Sequence, residues 1–297
     1  MPQNKQNDKI HDYIEAFKYK FPTDVLSSEL LNSNQNKVYA IQTKDRKYIL
    51  KQYSHNTINN LKDLRIKEEQ HRVWSIWNDS SIKCILPLTE IFIYNDFYYT
   101  IYPFFEWSYI PCENLSIEQI KILAKNQAKI HKLTISTSLN NHIKKFIIEE
   151  PSLSFFNNKM DFVFKASRKH CCLCQNDYKP LNILRKWDHP FLIDYDAVAF
   201  NHPTFSLFEA IFTFSYQNQR LNFHVLEEYF KAYLKEYGQP LKDLELAYYG
   251  AWNGKLQWID FLLKNRPNDP DVEIMRYQIL DSFKHKEKIL TIASKYI

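Results

Sequence analysis

Three oxygen-bearing side chains follow one another closely in the second half of the sequence. Asp177 is followed five residues later by Asn182, and Asp194 comes after a further stretch of apolar, polar and apolar residues. This stretch has the pattern of a β-hairpin, whose two ends meet because the chain turns back on itself. We therefore expect Asn182 and Asp194 to lie together at the open end of the hairpin, with Asp177 projecting from the loop that enters it.

These residue types suit the transfer of a phosphoryl group to a hydroxyl. Carboxylate and amide oxygens bind Mg²⁺, which usually takes one or two carboxylates together with substrate phosphates. In this chemistry one aspartate accepts the hydroxyl proton, while an asparagine and a second aspartate hold the magnesium ions. The spacing therefore predicts a magnesium-dependent phosphotransfer site.

The strands that open the chain form an antiparallel meander, and a helix and two further strands follow it. Alternating apolar and polar residues predict strands, and apolar residues spaced by three to four predict helices. The predicted elements are a helical leader at 11–19, an extended stretch at 24–31, strands at 37–43 and 47–53, a helix at 61–77, and strands at 88–94 and 97–102 joined by a tight turn.

The rest of the chain reads as mostly helical. Ser116 and Gln119 form a capping box for a helix that reaches about residue 133. The helical pattern continues to 164, and helices fill 204–297 with breaks at Gly238 and at 267–270. We therefore predict an α+β protein with a small antiparallel-sheet lobe at 1–105 and a larger helical lobe at 106–297.

These motifs resemble the aminoglycoside phosphotransferase and choline kinase-like family, small-molecule relatives of the protein kinases. The resemblance rests on Asn-Asp-x-x-x-x-Asn-Ile-Leu at 176–184 and Leu-Ile-Asp-Tyr-Asp at 192–196. It covers most of the chain and implies a bilobal protein-kinase-like fold. It also implies an ATP- and Mg²⁺-dependent enzyme that phosphorylates a hydroxyl of a small molecule.

The resemblance assigns roles to individual residues. Asp177 resembles the catalytic base, and Asn182 and Asp194 resemble the metal ligands. Lys51 resembles the lysine that grips the α- and β-phosphates. Glu69 resembles the helix glutamate that orients this lysine. We prefer Glu69 to Glu68 because Glu69 shares a helix face with apolar residues. The segment 104–107 resembles the linker that binds adenine, which places Phe105 and Trp107 beside the base.

Three departures from the family pattern stand out. Gln175 replaces the usual catalytic-loop histidine, and we expect it to hydrogen-bond to backbone in its place. Ser206 stands where the family has an acidic residue that braces the loop. The phosphate loop at 32–36 has no glycine, so we expect Asn34 to make the turn, because asparagine tolerates positive φ.

Composition limits the alternatives. The chain has three glycines among 297 residues, which excludes a P-loop and a dinucleotide-binding fingerprint. Its net charge of +5 is spread along the chain, so we expect no nucleic-acid partner. No apolar run is long enough for a membrane span, and the first 25 residues have no apolar signal core, so we expect a cytoplasmic protein.

Two further alternatives concern cysteines and activity. The segment 170–174 contains one histidine and three cysteines, which could bind a metal, but we favour buried thiols because no second ligand pair is evident nearby. The departures above also keep open a catalytically degenerate module that binds nucleotide or a partner.

The acceptor is the least determined part of the prediction. An amino-alcohol, a sugar or an antibiotic is expected on the helical lobe. Tyr248, Tyr249, Trp252 and Trp258 could form an aromatic cage for a quaternary ammonium, and we favour a core role for them.

Overall fold

The computed structural model describes residues 4–31, 36–106, 111–186 and 189–296. The chain divides into two compact units. The first consists of Met1–Asn78 and Cys84–Trp107, and the second of Asp79–Lys83 and Ser108–Ile297.

A five-stranded antiparallel sheet forms the centre of the first unit. The elements of this unit in chain order are α1 (Asn4–Lys20), β1 (Val25–Leu31), β2 (Lys37–Thr43), β3 (Lys47–Gln52), α2 (Leu61–Asp79), β4 (Phe92–Tyr94) and β5 (Phe97–Pro103). The strand order in the sheet is β1-β2-β3-β5-β4. The predicted meander is therefore present.

Helix α1 packs on one face of this sheet. The rings of Tyr13 and Tyr39 stack with centroids 3.8 Å apart, and Tyr48 and Leu50 are buried in the same apolar cluster. Because successive strand residues point to opposite faces, Lys51 lies on the other face of β3. The sheet thus separates an aromatic core from the face that carries this lysine.

The β4–β5 hairpin turns through Asn95 and Asp96, which have φ values of 45° and 63°. Two consecutive positive φ values are typical of the turn that best fits a twisted two-residue hairpin, and asparagine and aspartate tolerate them without glycine. Strand β4 is shorter than the predicted strand at 88–94. The Thr89 hydroxyl accepts the Ile101 backbone N–H at 3.1 Å, a donor that a longer ladder would have used.

The second unit is mostly helical. Its elements in chain order are α3 (Ile117–Lys132), α4 (Asn157–Ala166), β6 (Cys172–Cys174), β7 (Ile183–Lys186), β8 (His189–Leu192), β9 (Ala199–Asn201), α5 (Pro203–Ser215), β10 (Tyr216–Gln217), β11 (Arg220–Leu221), α6 (Phe223–Tyr237), α7 (Leu244–Gly250), α8 (Asn253–Asn265), α9 (Pro270–Lys284) and α10 (Lys286–Ser294).

Local signals place several of these helix ends correctly. The predicted capping box of α3 is present, with Ser116 and Gln119 bonded reciprocally. Gly238 ends α6 in the left-handed conformation with φ of 70°, and Asp269 caps α9 ahead of Pro270. Each signal satisfies backbone groups that a helix end leaves without partners.

The predicted continuous helix from 133 to 164 is wrong. The chain is non-helical from 133 to 150, and α4 begins only at Asn157. Within this stretch the Phe200 N–H donates to Asn140 at 3.0 Å, and the His142 N–H donates to the Phe200 carbonyl at 2.7 Å. Pairing with a segment sixty residues away therefore overrides the local helical pattern.

Within the described ranges, none of the helices combines the length and apolar character that crossing a membrane would need.

Candidate active site

The β7–β8 hairpin brings the candidate metal ligands close together. Ile183 pairs with Leu192, and the Ile193 N–H donates to the Asn182 carbonyl at 3.0 Å. Asp194 follows directly, so residues 182 and 194 flank the same end of the hairpin. The apolar residues of the two strands thus position the polar residues at their open end.

Asp177 lies in the loop before the hairpin and has two side-chain partners on one oxygen. Its Oδ2 accepts from Asn182 Nδ2 at 2.7 Å and from Lys179 Nζ at 2.8 Å. Burial raises the pKa of the Asp177 carboxyl and nearby Asp194 adds to this, while Lys179 and Asn182 oppose it. Among the described residues Oδ1 has no hydrogen-bond partner, so it is the oxygen left to accept a proton.

The amide of Asn182 is held in one orientation. Its Nδ2 donates both to the Asp177 carboxylate and, at 2.9 Å, to the Asp177 backbone carbonyl. Both contacts use the nitrogen, so the amide oxygen is the atom left for a ligand. An asparagine fixed in this way offers a metal its oxygen and not its nitrogen.

Asp194 has an exposed side chain and an unusual backbone conformation. Its φ is 63°, in the left-handed region, and its Oδ1 accepts from the Asp196 N–H at 3.4 Å. Non-glycine residues held there are uncommon and cluster at functional sites. Asp196 is half-buried beside it.

Gln175 ties these two aspartates together. The buried side chain accepts the Asp177 N–H at 3.0 Å with Oε1 and donates to the Asp194 carbonyl at 2.9 Å with Nε2. The expectation that glutamine bonds to backbone in place of the family histidine is therefore confirmed. One uncharged side chain fixes both the loop and the residue after the hairpin.

Asn176 provides a second brace. Its Nδ2 donates to the carbonyls of Cys174, Ala197 and Ala199, and its Oδ1 accepts from Asn201 Nδ2 at 2.8 Å. Sequence reasoning assigned no role to this pair. The signal was present in the sequence, since an asparagine beside the candidate base is well placed to bond to the backbone nearby.

Ser206 contacts a different element. Gln127 Nε2 donates to the Ser206 carbonyl at 2.9 Å and to its hydroxyl at 3.4 Å, which joins α5 to α3. Ser206, at the position where the family has an acidic residue that braces the loop, thus bonds to α3. Asn176 and Asn201 supply contacts to the loop instead.

Two charged residues near Asp177 were missed by the sequence reasoning. Lys179 places an ammonium group on Asp177, as described above, and its side chain is 39% exposed. Glu209 on α5 has a carboxyl whose pKa is raised to about 8, chiefly by burial and next by the charge of Asp177. Glu209 is the only charged residue in α5, which is a signal that the sequence offered.

The Glu209 carboxylate lies close to Gly254 and His142. A Cβ placed on Gly254 would stand 3.3 Å from Glu209 Oε1 and 3.9 Å from His142 Nε2. That nitrogen is buried and has no hydrogen-bond partner within the described part of the chain, and burial lowers the pKa of His142 to about 4. We name Glu209, His142 and Gly254 the acceptor-side cluster.

Three of the four residues of the candidate aromatic cage are core, as favoured, while Trp258 is half-buried with its ring stacked on Phe261 at 5.0 Å. Tyr248, Tyr249 and Trp252 are buried. The Trp252 ring stacks on Phe212 at 4.5 Å, and Lys255 Nζ lies 5.0 Å from its centroid. The rings therefore already have partners from the protein.

The first unit contains the remaining described candidates. Lys51 is buried on β3 with its Nζ 5.3 Å from the Tyr53 ring centroid. Glu69 on α2 is half-buried whereas Glu68 is exposed, and the Glu69 carboxylate forms a bidentate ion pair with Arg72 at 2.6 and 2.8 Å. The predicted roles of Lys51 and Glu69 in phosphate binding remain predictions.

The linker and phosphate-loop candidates are only partly described. Asn34 and Trp107 lie outside the described residues, while Phe105 is half-buried. A cavity of about 470 Å³ lies beside the linker and is lined in part by Phe104 and Tyr48. Its lining also includes Gln42 and Lys47, which pair with each other across β2 and β3.

Comparison with solved structures places this geometry in a known fold. No family model and no curated protein matches the sequence. Spectinomycin phosphotransferase, solved with ADP and spectinomycin, is similar with a TM-score of 0.61 and 17% identity, over 95% of this chain and 97% of that one. A microcompartment-associated aminopropanol kinase has a TM-score of 0.68 and 13% identity, over 94% and 98%. Choline kinase LicA from Streptococcus pneumoniae has a TM-score of 0.62 and 15% identity, over 96% and 99%.

The chain has the fold of the small-molecule kinases. The α+β class and the resemblance inferred from the sequence are thus confirmed for the fold. Within this fold, the candidate catalytic loop at 175–182 and the hairpin that follows it bring Asp177, Asn182 and Asp194 to one hairpin end.

Proposed function

We propose that the protein is an ATP- and Mg²⁺-dependent phosphotransferase that phosphorylates a hydroxyl of a small molecule. The observation that carries this proposal is the braced arrangement of Asp177, Asn182 and Asp194, in which Gln175 bonds to the backbone of both aspartates. A site that is held ready costs little reorganisation at the moment of reaction.

Asp177 is the proposed catalytic base. Its Oδ2 is held by Asn182 and Lys179, which leaves Oδ1 to accept the hydroxyl proton of the acceptor. The raised pKa brings the carboxylate nearer to working pH, where a general base is most effective. Lys179 Nζ lies 2.8 Å from Asp177 Oδ2, so its ammonium would stabilise negative charge that develops beside the proposed base.

The donor set fits magnesium. Asn182 offers its amide oxygen, Asp194 offers an exposed carboxylate, and both are hard oxygen ligands beside one hairpin end. Asn182 and Asp194 would hold the magnesium ions, which would supply positive charge against the negative charge that develops on the phosphates. A similar fold was solved as amicoumacin kinase with AMP-PNP and Ca²⁺, which supports nucleotide and divalent-metal use.

The first unit would supply the nucleotide contacts. Lys51 is proposed to grip the α- and β-phosphates, with Glu69 orienting it, and Asn34 to turn the phosphate loop. Phe105 and Trp107 are proposed to hold the adenine.

Glu209 narrows the acceptor class to hydroxyl compounds that carry an amine. Its carboxyl has no ion pair within 4 Å in the described ranges, and it is electrostatically coupled to Asp177, which raises its pKa, and to the lysines Lys255 and Lys179, which lower it. An ammonium group placed there would gain a charge-assisted hydrogen bond and would let Glu209 ionise. The similar structures named aminopropanol kinase and choline kinase bear names of amino-alcohol acceptors, which is consistent with this class.

A degenerate binding module is the competing function. Such a module would need the proposed base Asp177 and the proposed metal ligands Asn182 and Asp194 to be inactive, although all three are present and braced.

We further propose the cytoplasm as the location, because the sequence has no apolar run long enough for a membrane span and no apolar signal core in its first 25 residues.

Magnesium-dependent ATP turnover with pooled amine-bearing alcohols tests the proposal, with Asp177→Ala as the comparison. We expect at least one acceptor to raise turnover in the wild type and none to do so in the variant. Nucleotide binding without acceptor-dependent turnover in either protein would favour the binding module. Absence of both turnover and a nucleotide-induced shift in Tm would overturn the proposed function.

A further inference from the structure

Three side chains away from the phosphotransfer residues converge in the second unit. His131 on α3 and Cys172 and Cys174 on β6 each offer one ligand atom, and these atoms all lie within 4.8 Å of one another. His131 and Cys174 are buried and Cys172 is half-buried. We name these three residues the Cys₂His cluster.

We propose that the Cys₂His cluster binds Zn²⁺. Two thiolates and one imidazole are a common zinc ligand combination, with a fourth position available for another donor. This site is distinct from the oxygen-only magnesium site proposed above, and it does not depend on phosphotransfer activity.

The sulfur geometry fits a tetrahedral ion. Residues 172 and 174 lie two apart on a strand, so their side chains share a face. Their Sγ atoms are 3.6 Å apart. Two sulfurs bound to zinc at about 2.3 Å with a tetrahedral angle would be separated by about 3.8 Å, so the two sulfurs already lie near the separation that zinc requires.

The histidine is oriented from outside the cluster. His131 Nδ1 lies 2.7 Å from the Tyr233 hydroxyl, and its Nε2 is buried without a hydrogen-bond partner among the described residues. Imidazoles that bind metals usually have a partner that fixes the ring and its tautomer. A buried ring nitrogen with no partner is otherwise costly, because it has lost its contacts with water.

The charge balance of an occupied cluster suits a divalent cation, because each thiol would release one proton on binding the ion. Zinc would displace the thiol protons, and two thiolates with Zn²⁺ sum to zero charge, which a buried site tolerates better than bare thiolates. The existing contacts of Cys174 with backbone carbonyls, at 3.6 and 3.9 Å, are long.

The position of the cluster gives it a structural role. Strand β6 ends at Cys174, and the next residue is Gln175, which braces the catalytic loop. Zinc would join α3 to the start of that loop. The Tyr178 hydroxyl already joins the loop to α3 by donating to the Leu123 carbonyl at 3.0 Å.

Zinc binding by the purified full chain tests this proposal. The protein is reduced, stripped with a chelator and titrated with Zn²⁺ against a chromophoric competitor, without nucleotide or Mg²⁺. We expect one equivalent bound by the wild type, and an affinity loss of at least about 100-fold in Cys172→Ser and Cys174→Ser. Cys171→Ser is the matched control, because Cys171 is adjacent but donates to the Ser167 carbonyl at 2.8 Å.

Cobalt substitution protects the test against misfolded variants. Co²⁺ in the wild type and in Cys171→Ser should give a thiolate charge-transfer band, which Cys172→Ser should weaken by about half, in proportion to the thiolates that remain. Cys172 is only half-buried, so its serine variant is expected to fold even if Cys174→Ser does not. Binding of less than a tenth of an equivalent by the wild type, or equal loss in Cys171→Ser, would overturn the assignment.

Discussion

The catalytic loop and the acceptor-side cluster belong to the same unit but are built in opposite ways. In the loop, Gln175 and Asn176 engage both backbone and side chains, and Asp177 has two partners on one oxygen. In the acceptor-side cluster, Glu209 has no ion-pair partner and the His142 Nε2 has no hydrogen-bond partner within the described ranges.

This difference corresponds to the different demands on a catalytic group and on a ligand-binding group. A catalytic group gains from being fixed before the substrate arrives, because reorganisation would add to the barrier. A binding group gains from being left incomplete, because the ligand then supplies the missing partner. The pKa of Glu209 is raised to about 8 chiefly by burial and next by the charge of Asp177, and the opposing effect of Lys255 and Lys179 does not cancel this rise.

The largest expected effect comes from removing the proton acceptor. Asp177→Asn keeps the shape and should lower kcat by about 10²- to 10⁴-fold, with KM for ATP nearly unchanged. Steady-state kinetics with the best acceptor measures this. Asp161→Asn, which removes an exposed carboxylate paired with Lys145, is the matched control and should behave as wild type.

The next largest effect should come from the group left without a partner. Glu209→Gln should raise KM for an amine-bearing acceptor by about 10- to 100-fold while kcat changes less, because a charge-assisted contact is lost. Glu245→Gln removes an exposed carboxylate and should leave KM unchanged. Equal KM values for Glu209→Gln and wild type would remove Glu209 from acceptor binding.

The same carboxyl predicts a pH dependence. Since the pKa of Glu209 is raised to about 8, the free protein holds it largely protonated at neutral pH, and cation affinity should increase as pH rises through 8. A quaternary ammonium acceptor keeps its own charge, so its KM should fall over this range. A flat KM in wild type, or the same slope in Glu209→Gln, would contradict this account.

Disrupting the brace should have a moderate effect. Gln175→Ala removes one bond to the Asp177 N–H and one to the Asp194 carbonyl, and we expect kcat to fall about tenfold with a stability loss of about 1–3 kcal/mol. Thermal unfolding and kinetics measure the two effects. Gln175→His should recover part of the lost kcat, and a histidine variant no better than alanine would argue against a bracing role.

The smallest effect concerns the space beside Glu209. A Cβ at residue 254 would stand 3.3 Å from Glu209 Oε1, close but not overlapping. Gly254→Ala should therefore raise acceptor KM by only a few fold without changing Tm much, since the residue lies at a helix start. A loss of stability comparable to that of Gln175→Ala would show that Gly254 and Glu209 are packed against each other and do not bind the acceptor.

The parts of the site that were predictable from sequence depend on short-range structure. Asn182 and Asp194 are brought together by a hairpin whose pattern is local, and the capping box at Ser116 needs only four residues. The resemblance to the small-molecule kinases then indicated the fold, because the motif at 176–184 and 192–196 is contiguous with this hairpin.

The parts that were missed depend on pairing across long distances. Residues 133–150 leave the helical pattern because Asn140 and His142 bond to Phe200, which no local window contains. The environment of Glu209 likewise involves Asp177 and Gly254, far away in sequence. The closeness of His131 to Cys172 and Cys174 is likewise not evident from the sequence, because His131 lies forty residues earlier.

Gln175 has one further consequence, for behaviour in acid. A histidine at this position would gain a proton near pH 6 to 7 and change its hydrogen-bonding pattern, whereas a glutamine amide has no titratable proton. The two hydrogen bonds by which Gln175 joins Asp177 to Asp194 therefore do not depend on the protonation state of Gln175. The acidic side of the activity profile should then follow the ionisation of the base, without a second transition from the loop that carries it.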